Sequence, residues 1–310
     1  MKKGLLVILS LLFSTIVYAN QCSKYWYKEN YEKALTLCKV EAEQGNTESQ
    51  YFLAYMYDVG NGTEPDKQKA FYWYKKAAEQ GNVDAQNNLA VMYNEGDVTE
   101  KNIQKAFYWY TKAAEQGNSI AQKNLALMYD KGDGIGPDKQ KALYWYTKAA
   151  KQDNADAQYN LALMYDEGDG IVPDKQKALY WYTKAAEQGE SYAQNNLAIM
   201  YDEGNGVKPD KQKALYWYTK AAEQGNVDAQ CNLAAMYDEG DGIKPDKQKT
   251  VYWYTKAAER GDAQAQYLLA YMYDKGNGIE QNKSLAKKYY QLACEQHYEK
   301  SCDKLNQLTE

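Results

Sequence analysis

Apolar positions fall along the chain in two alternating stripes, each with helical spacing. In "DKQKAFYWYKKAAEQG" (Asp66–Gly81), Ala70, Trp73, Tyr74, Ala77 and Ala78 sit at i, i+3, i+4, i+7 and i+8, one face of a helix. Trp73 and Tyr74 lie within this stripe and are expected in the core. Asp66, just after Pro65, suits an N-cap. Gly81 suits the left-handed residue that ends such a helix. Asn82 can then cap a second helix, whose stripe is Ala85, Leu89, Met92 and Tyr93. Paired glycines such as Gly168 and Gly170 stop the second helix and turn the chain. Asp153 and His297 replace the first turn's glycine in two places, and both types tolerate positive φ better than most.

The pattern repeats. The alanine of "KALYWY" and its variants falls at Ala34, Ala70, Ala106, Ala142, Ala178 and Ala214, and Thr250 and Ala286 continue the series at a step of 36. The internal methionines Met56, Met92, Met128, Met164, Met200, Met236 and Met272 keep the same step. All five prolines, Pro65, Pro137, Pro173, Pro209 and Pro245, occupy one slot. The 310-residue length alone suggests two domains, but this regularity predicts a linear array whose single units bury no core alone.

The "AxxWYxxAAEQG" and "AQxNLAxMYDxGxG" signatures, from about Tyr31 to Leu305, resemble the Sel1-like repeat family, a relative of tetratricopeptide repeats. The resemblance implies an all-α fold, a right-handed α/α solenoid of 36-residue helix-turn-helix repeats. It also implies a scaffold that holds partners together rather than an enzyme. The expected division is a signal peptide at 1–19, a capping segment at 20–30, seven repeats over 31–282 and a shortened closing repeat at 283–310.

"MKK", the apolar run "GLLVILSLLFSTIV" and "VYA" read as a secretory signal cut before Asn20, with a retained anchor as the competing reading. The mature chain is then expected to be exported, periplasmic or secreted. The net charge of −5 would become −7 without Lys2 and Lys3, and the lysines alternate with acids. Such a surface does not favour nucleic acid. A single histidine leaves little for a histidine-built metal or catalytic centre, and no cofactor is expected.

"DEGDG" (Asp166–Gly170) looks like a calcium loop, but glycines take the alternate donor positions and Lys177 stands at the twelfth, so a turn is expected. Paired carboxylates repeated every 36 residues do not make the one asymmetric constellation a glycosidase needs. "SLAK" at Ser284 and "SCDK" at Ser301 satisfy Ser-x-x-K without the companion motifs of a β-lactamase. "NEGDVTEKN" departs from the other loops, with Val98 in place of the second glycine and Lys101 in place of proline.

The tyrosine before each tryptophan lies about 200° around the helix from the core alanine. Tyr72, Tyr108, Tyr144, Tyr180, Tyr216 and Tyr252 thus form a file, one per repeat, either packed between adjacent first helices or open to a partner. Gln68, Lys76 and Glu79 are neighbouring candidate contacts. The favoured function is an exported scaffold binding a protein or peptide on the concave wall. A cell-wall-directed or β-lactam hydrolase and a saccharide-binding factor are the alternatives.

Cys22 and Cys38 lie equally far from Asn30, a turn between antiparallel helices, and Cys294 and Cys302 flank His297 and Tyr298 in the same way. The second spacing resembles the stapled hairpins of cysteine-rich Sel1 relatives. Two terminal disulfides are expected in an exported protein, with reduced, buried thiols as the alternative. Cys231 is left over and is expected to be a free thiol facing solvent, able to link two copies by a disulfide.

Overall fold

The computed structural model describes residues 21–240 and 242–308. The expected leader at 1–19 lies outside the described residues. Among these residues the chain forms 17 α-helices and no strand. It falls into two compact units, one ending at Asn154 and one beginning at Ala155. Each is a succession of antiparallel helix pairs in which every helix packs mainly on its chain neighbours.

In the first unit a short helix, Gln21–Trp26, precedes first helices at Tyr31–Glu43, Lys67–Glu79, Ile103–Glu115 and Lys139–Ala150. The second helices are Thr47–Val59, Val83–Glu95 and Ser119–Lys131. In the second unit the second helices are Ala155–Glu167, Ser191–Glu203, Val227–Glu239, Ala263–Lys275 and the shorter Glu299–Gln307. They alternate with first helices at Lys175–Glu187, Lys211–Glu223, Lys247–Glu259 and Lys283–Glu295.

The caps stand where the sequence puts them. Asp66 Oδ1 accepts from Lys69 N at 3.0 Å, and Asn82 Oδ1 accepts from Ala85 N at 2.8 Å. Such a cap contributes about 1 kcal/mol. Asp153 and His297 do adopt the left-handed conformation, at φ 59° and 65°. The two loop glycines have different duties. Gly204 ends its helix at φ 82°, a conformation that costs a side-chain-bearing residue. Gly206 also lies against the preceding repeat, where a Cβ would come within 2.7 Å of the Lys175 Cβ.

The core of each pair is small residues around one large ring. Ala70, Ala77, Ala85 and Leu89 are fully buried with Tyr74. Trp73 corrects an expectation: it is only half-buried, because it sits at the edge of the alanine stripe. Repeats are joined by buried glutamines. Gln50 Nε2 donates to Ala42 O at 3.1 Å, while its Oε1 accepts from Gln80 Nε2 at 2.7 Å. The same clamp recurs at Gln116–Gln86 and Gln152–Gln122, and in the second unit at Gln188–Gln158, Gln224–Gln194 and Gln296–Gln266.

Disulfides join Cys22 to Cys38 and Cys294 to Cys302, with S–S distances of 2.02 and 2.05 Å. Beside the first, the buried Glu41 carboxylate accepts from the backbone N–H groups of Gln21 and Cys22 and from Ser49 Oγ. It therefore supplies acceptors to the otherwise unpaired N–H groups that open the leading helix. Trp26 completes this end, stacked on Phe52 with centroids 5.0 Å apart.

Candidate functional site

The tyrosine file is the most regular exposed aromatic feature. Tyr72, Tyr108 and Tyr144 are each 52% exposed in the first unit, and Tyr180, Tyr216 and Tyr252 are 53–54% exposed in the second. Each ring stands edge-on against the tryptophan that follows it, with centroids 4.8–5.0 Å apart. This explains the half-buried tryptophan: it is the seat that holds an outward ring in one orientation. A lysine one turn later lies over several of these rings, at 5.8 Å for Lys76 on Tyr72 and 4.8 Å for Lys148 on Tyr144. The ring contacts of the file are thus made within one helix. A ring fixed in this way loses little freedom when it meets a partner.

Of the neighbouring candidates, Gln68 is engaged elsewhere. Its Nε2 donates to Val98 O of the next repeat at 3.2 Å. Gln176 and Gln212 donate likewise to the carbonyls of Gly206 and Gly242. Position 68 and its equivalents therefore clamp repeats together, even at the aberrant Val98 loop. Glu79 is exposed and lies 3.8 Å from Lys75.

The acids of the "MYD" loops are also accounted for. Asp166 pairs with Lys175 at 2.5 Å and accepts from the Tyr182 hydroxyl at 3.4 Å, which in turn accepts from Asn196 Nδ2 at 3.1 Å. Equivalent ion pairs join Asp58 to Lys67, Asp130 to Lys139, Asp202 to Lys211, Asp238 to Lys247 and Asp274 to Lys283. In the departing repeat both partners change together, to Asn94 and Ile103. A charge left without its mate is thereby avoided.

The two Ser-x-x-K serines are unlike each other. Ser301 is buried, and its Oγ donates to Tyr290 O at 3.0 Å, so it is not presented to a substrate. Ser284 is exposed in the first turn of its helix.

Cys231 is a free thiol, but it does not face solvent as expected. It is half-buried against the apolar cluster of Tyr254 and Leu269, with Sγ 3.6 Å from Asp262 Oδ1 of the next repeat. Burial, then the Asp262 charge, pushes the thiol up from its ordinary value to about 12. Angular position on one helix missed this because the following repeat covers that face.

Seven successive segments, residues 47–82, 83–118, 119–154, 155–190, 191–226, 227–262 and 263–302, match the Sel1 repeat model. Among solved structures, a protective antigen present in uropathogenic Escherichia coli strains, with an SLR fold, is 34% identical. That match covers 94% of this chain with a TM-score of 0.85, and the chain spans 63% of the antigen's length. A Sel1 repeat protein from Oxalobacter formigenes is 30% identical over 98% of this chain and 93% of its own, with a TM-score of 0.74. No curated protein matches.

Proposed function

The chain belongs to the Sel1 repeat family, and on that footing we propose that it is an exported scaffold holding a protein or peptide partner against the tyrosine file on its concave wall. Sel1 repeat proteins are generally protein-interaction scaffolds and typically not enzymes. The observation that carries the finer reading is six half-exposed tyrosines at one position of successive repeats, each braced by its own tryptophan. Aromatic side chains are common anchors of binding energy. Two disulfides suit an oxidising compartment. No helix among the described residues is long and apolar enough to cross a membrane.

The test starts from a partner captured by cross-linking and then purified. Replacing Tyr180, Tyr216 and Tyr252 together by Ser should weaken its binding by at least about thirtyfold, the loss expected from even one anchor residue at ~2 kcal/mol. Helix content and melting temperature should hardly change. Undiminished binding, or a collapse of thermal stability, would overturn the proposal.

A further inference from the structure

Where the acid after "MYD" is kept, two successive second helices leave a recess between them. In the second unit it is lined by Asp202, Tyr218, Asn232, Ala235, Met236 and Glu239, and has a volume of about 110 Å³. The corresponding positions four repeats earlier, Asp58, Asn88, Val91, Met92 and Glu95, line a recess of about 250 Å³. Neither exists within a single repeat, because the aspartate and the glutamate come from consecutive second helices.

The Tyr218 hydroxyl marks the recess as more than a cluster of acids. Tyr218 is 4% exposed, yet its hydroxyl has no hydrogen-bond partner among the described residues. In the adjoining repeat Tyr182 is satisfied by Asp166 and Asn196. Here Asn232 Nδ2 reaches instead to Asn195 Oδ1 at 3.2 Å, and the Tyr218 hydroxyl is left aimed into the recess. Asp202 is paired with Lys211 at 2.8 Å, whereas Glu239 has no ion pair among the described residues. The recess therefore offers one uncompensated negative charge, a spare hydroxyl oxygen and an apolar wall of Ala235 and Met236. It is too small for a cofactor-sized ligand.

We propose that this recess takes an arginine side chain from a partner protein. The guanidinium would donate to Glu239, Asp202 and Tyr218 Oη, and its methylene stem would lie on Ala235 and Met236. A planar fork of five donors serves acceptors on three different helices better than a point charge does. The chain's own sequence tunes the array. Glutamate stands at 95, 167, 203 and 239, but Lys131 and Lys275 replace it at two other levels, where an arginine would be repelled. The surface is distinct from the tyrosine file and gives a partner its register along the repeats.

The methionine of each repeat reports on its own level. The full-length protein, with its methionine methyl groups isotopically labelled, is titrated with a tetra-arginine peptide and followed by NMR. Met236 and Met92 methyl signals should shift saturably, while Met128 and Met272, at the lysine levels, should not. Tyr218→Phe and Glu239→Gln should each weaken the Met236 response by about tenfold and leave Met92 unchanged. Glu223→Gln, an equal charge change at an exposed site outside the recess, should have no effect. Equal shifts at all levels, an unaltered titration in the two recess variants, or equal weakening by Glu223→Gln would each overturn the proposal. The serine variant of the tyrosine file should leave this titration intact, so the two proposals fail separately.

Discussion

Each buried glutamine of the "AQ" pairs serves three helices, and the one place where the series fails is informative. Gln230 still donates to Ala222 O at 3.0 Å, but its Oε1 has no partner because Arg260 stands where the next clamping glutamine would be. The arginine lies over Gly225 instead. Beside it, the buried Asn226 Nδ2 is also unpaired. The equivalent Asn118 donates to Asp84, whereas Tyr192 occupies the matching place near Asn226. Arg260→Gln should restore the clamp and stabilise the fold by about 1 kcal/mol, read from denaturant unfolding. An unchanged midpoint would show that the orphaned oxygen costs nothing. At Cys231 the neutral thiol is the stable form, and the thiolate is the species that reacts. Maleimide labelling at neutral pH should be slower in the folded protein than in the unfolded chain by about a hundredfold or more, because burial leaves far less of the reactive thiolate. Equal rates would place the thiol at the surface. The same burial argues against a disulfide-linked dimer through this residue.

At the scale of elements, the helix ends were legible from residue type, but the reason for each loop glycine was not. Gly189 has φ 94° with open space where a Cβ would go, so its requirement is backbone conformation alone. Gly206 has φ 70°, and a Cβ there would overlap Lys175 of the preceding repeat. Gly189→Ala should cost about 1–2 kcal/mol for the left-handed backbone. Gly206→Ala should cost about 1–3 kcal/mol more, because the overlap adds to the strain. Thermal unfolding of the two variants side by side checks this, and equal losses would remove the packing role. Val98 fits the same scheme. It replaces a glycine, lies outside the positive-φ set, and keeps its carbonyl bonded to Gln68.

At the scale of the whole molecule, one buried tyrosine per repeat ties stability to alkaline pH. Burial first, then nearby carboxylates, raises Tyr51 and Tyr159 to about 12. Burial pushes Tyr74, Tyr110, Tyr146, Tyr182, Tyr218 and Tyr254 higher still. An unfolded tyrosine ionises near 10. The folded chain thus holds protons that the unfolded chain releases. This contribution is complete below about pH 10, declines as pH rises past it, and for the six more deeply buried rings goes on declining above about pH 12. Far-ultraviolet circular dichroism and tyrosinate absorbance, recorded together, should show helix loss accompanying ionisation of the buried rings. Full ionisation with helices intact would contradict it.

The 36-residue period, the helix boundaries, the caps at Asp66 and Asn82, the left-handed Asp153 and His297, and the two disulfide pairs were all determined by the sequence itself. The bonds and torsions behind them act within a few residues, or across one tight hairpin, so residue type and spacing suffice. The glutamine clamps, the overlap forbidden at Gly206, the half-burial of Trp73, the covered face of Cys231 and the Tyr218 recess were decided only by the tertiary structure. Most of these join residues about 30 or more positions apart in adjoining repeats. Which atoms meet there depends on how one helix pair seats on the next, and periodicity along a single helix carries no information about that contact.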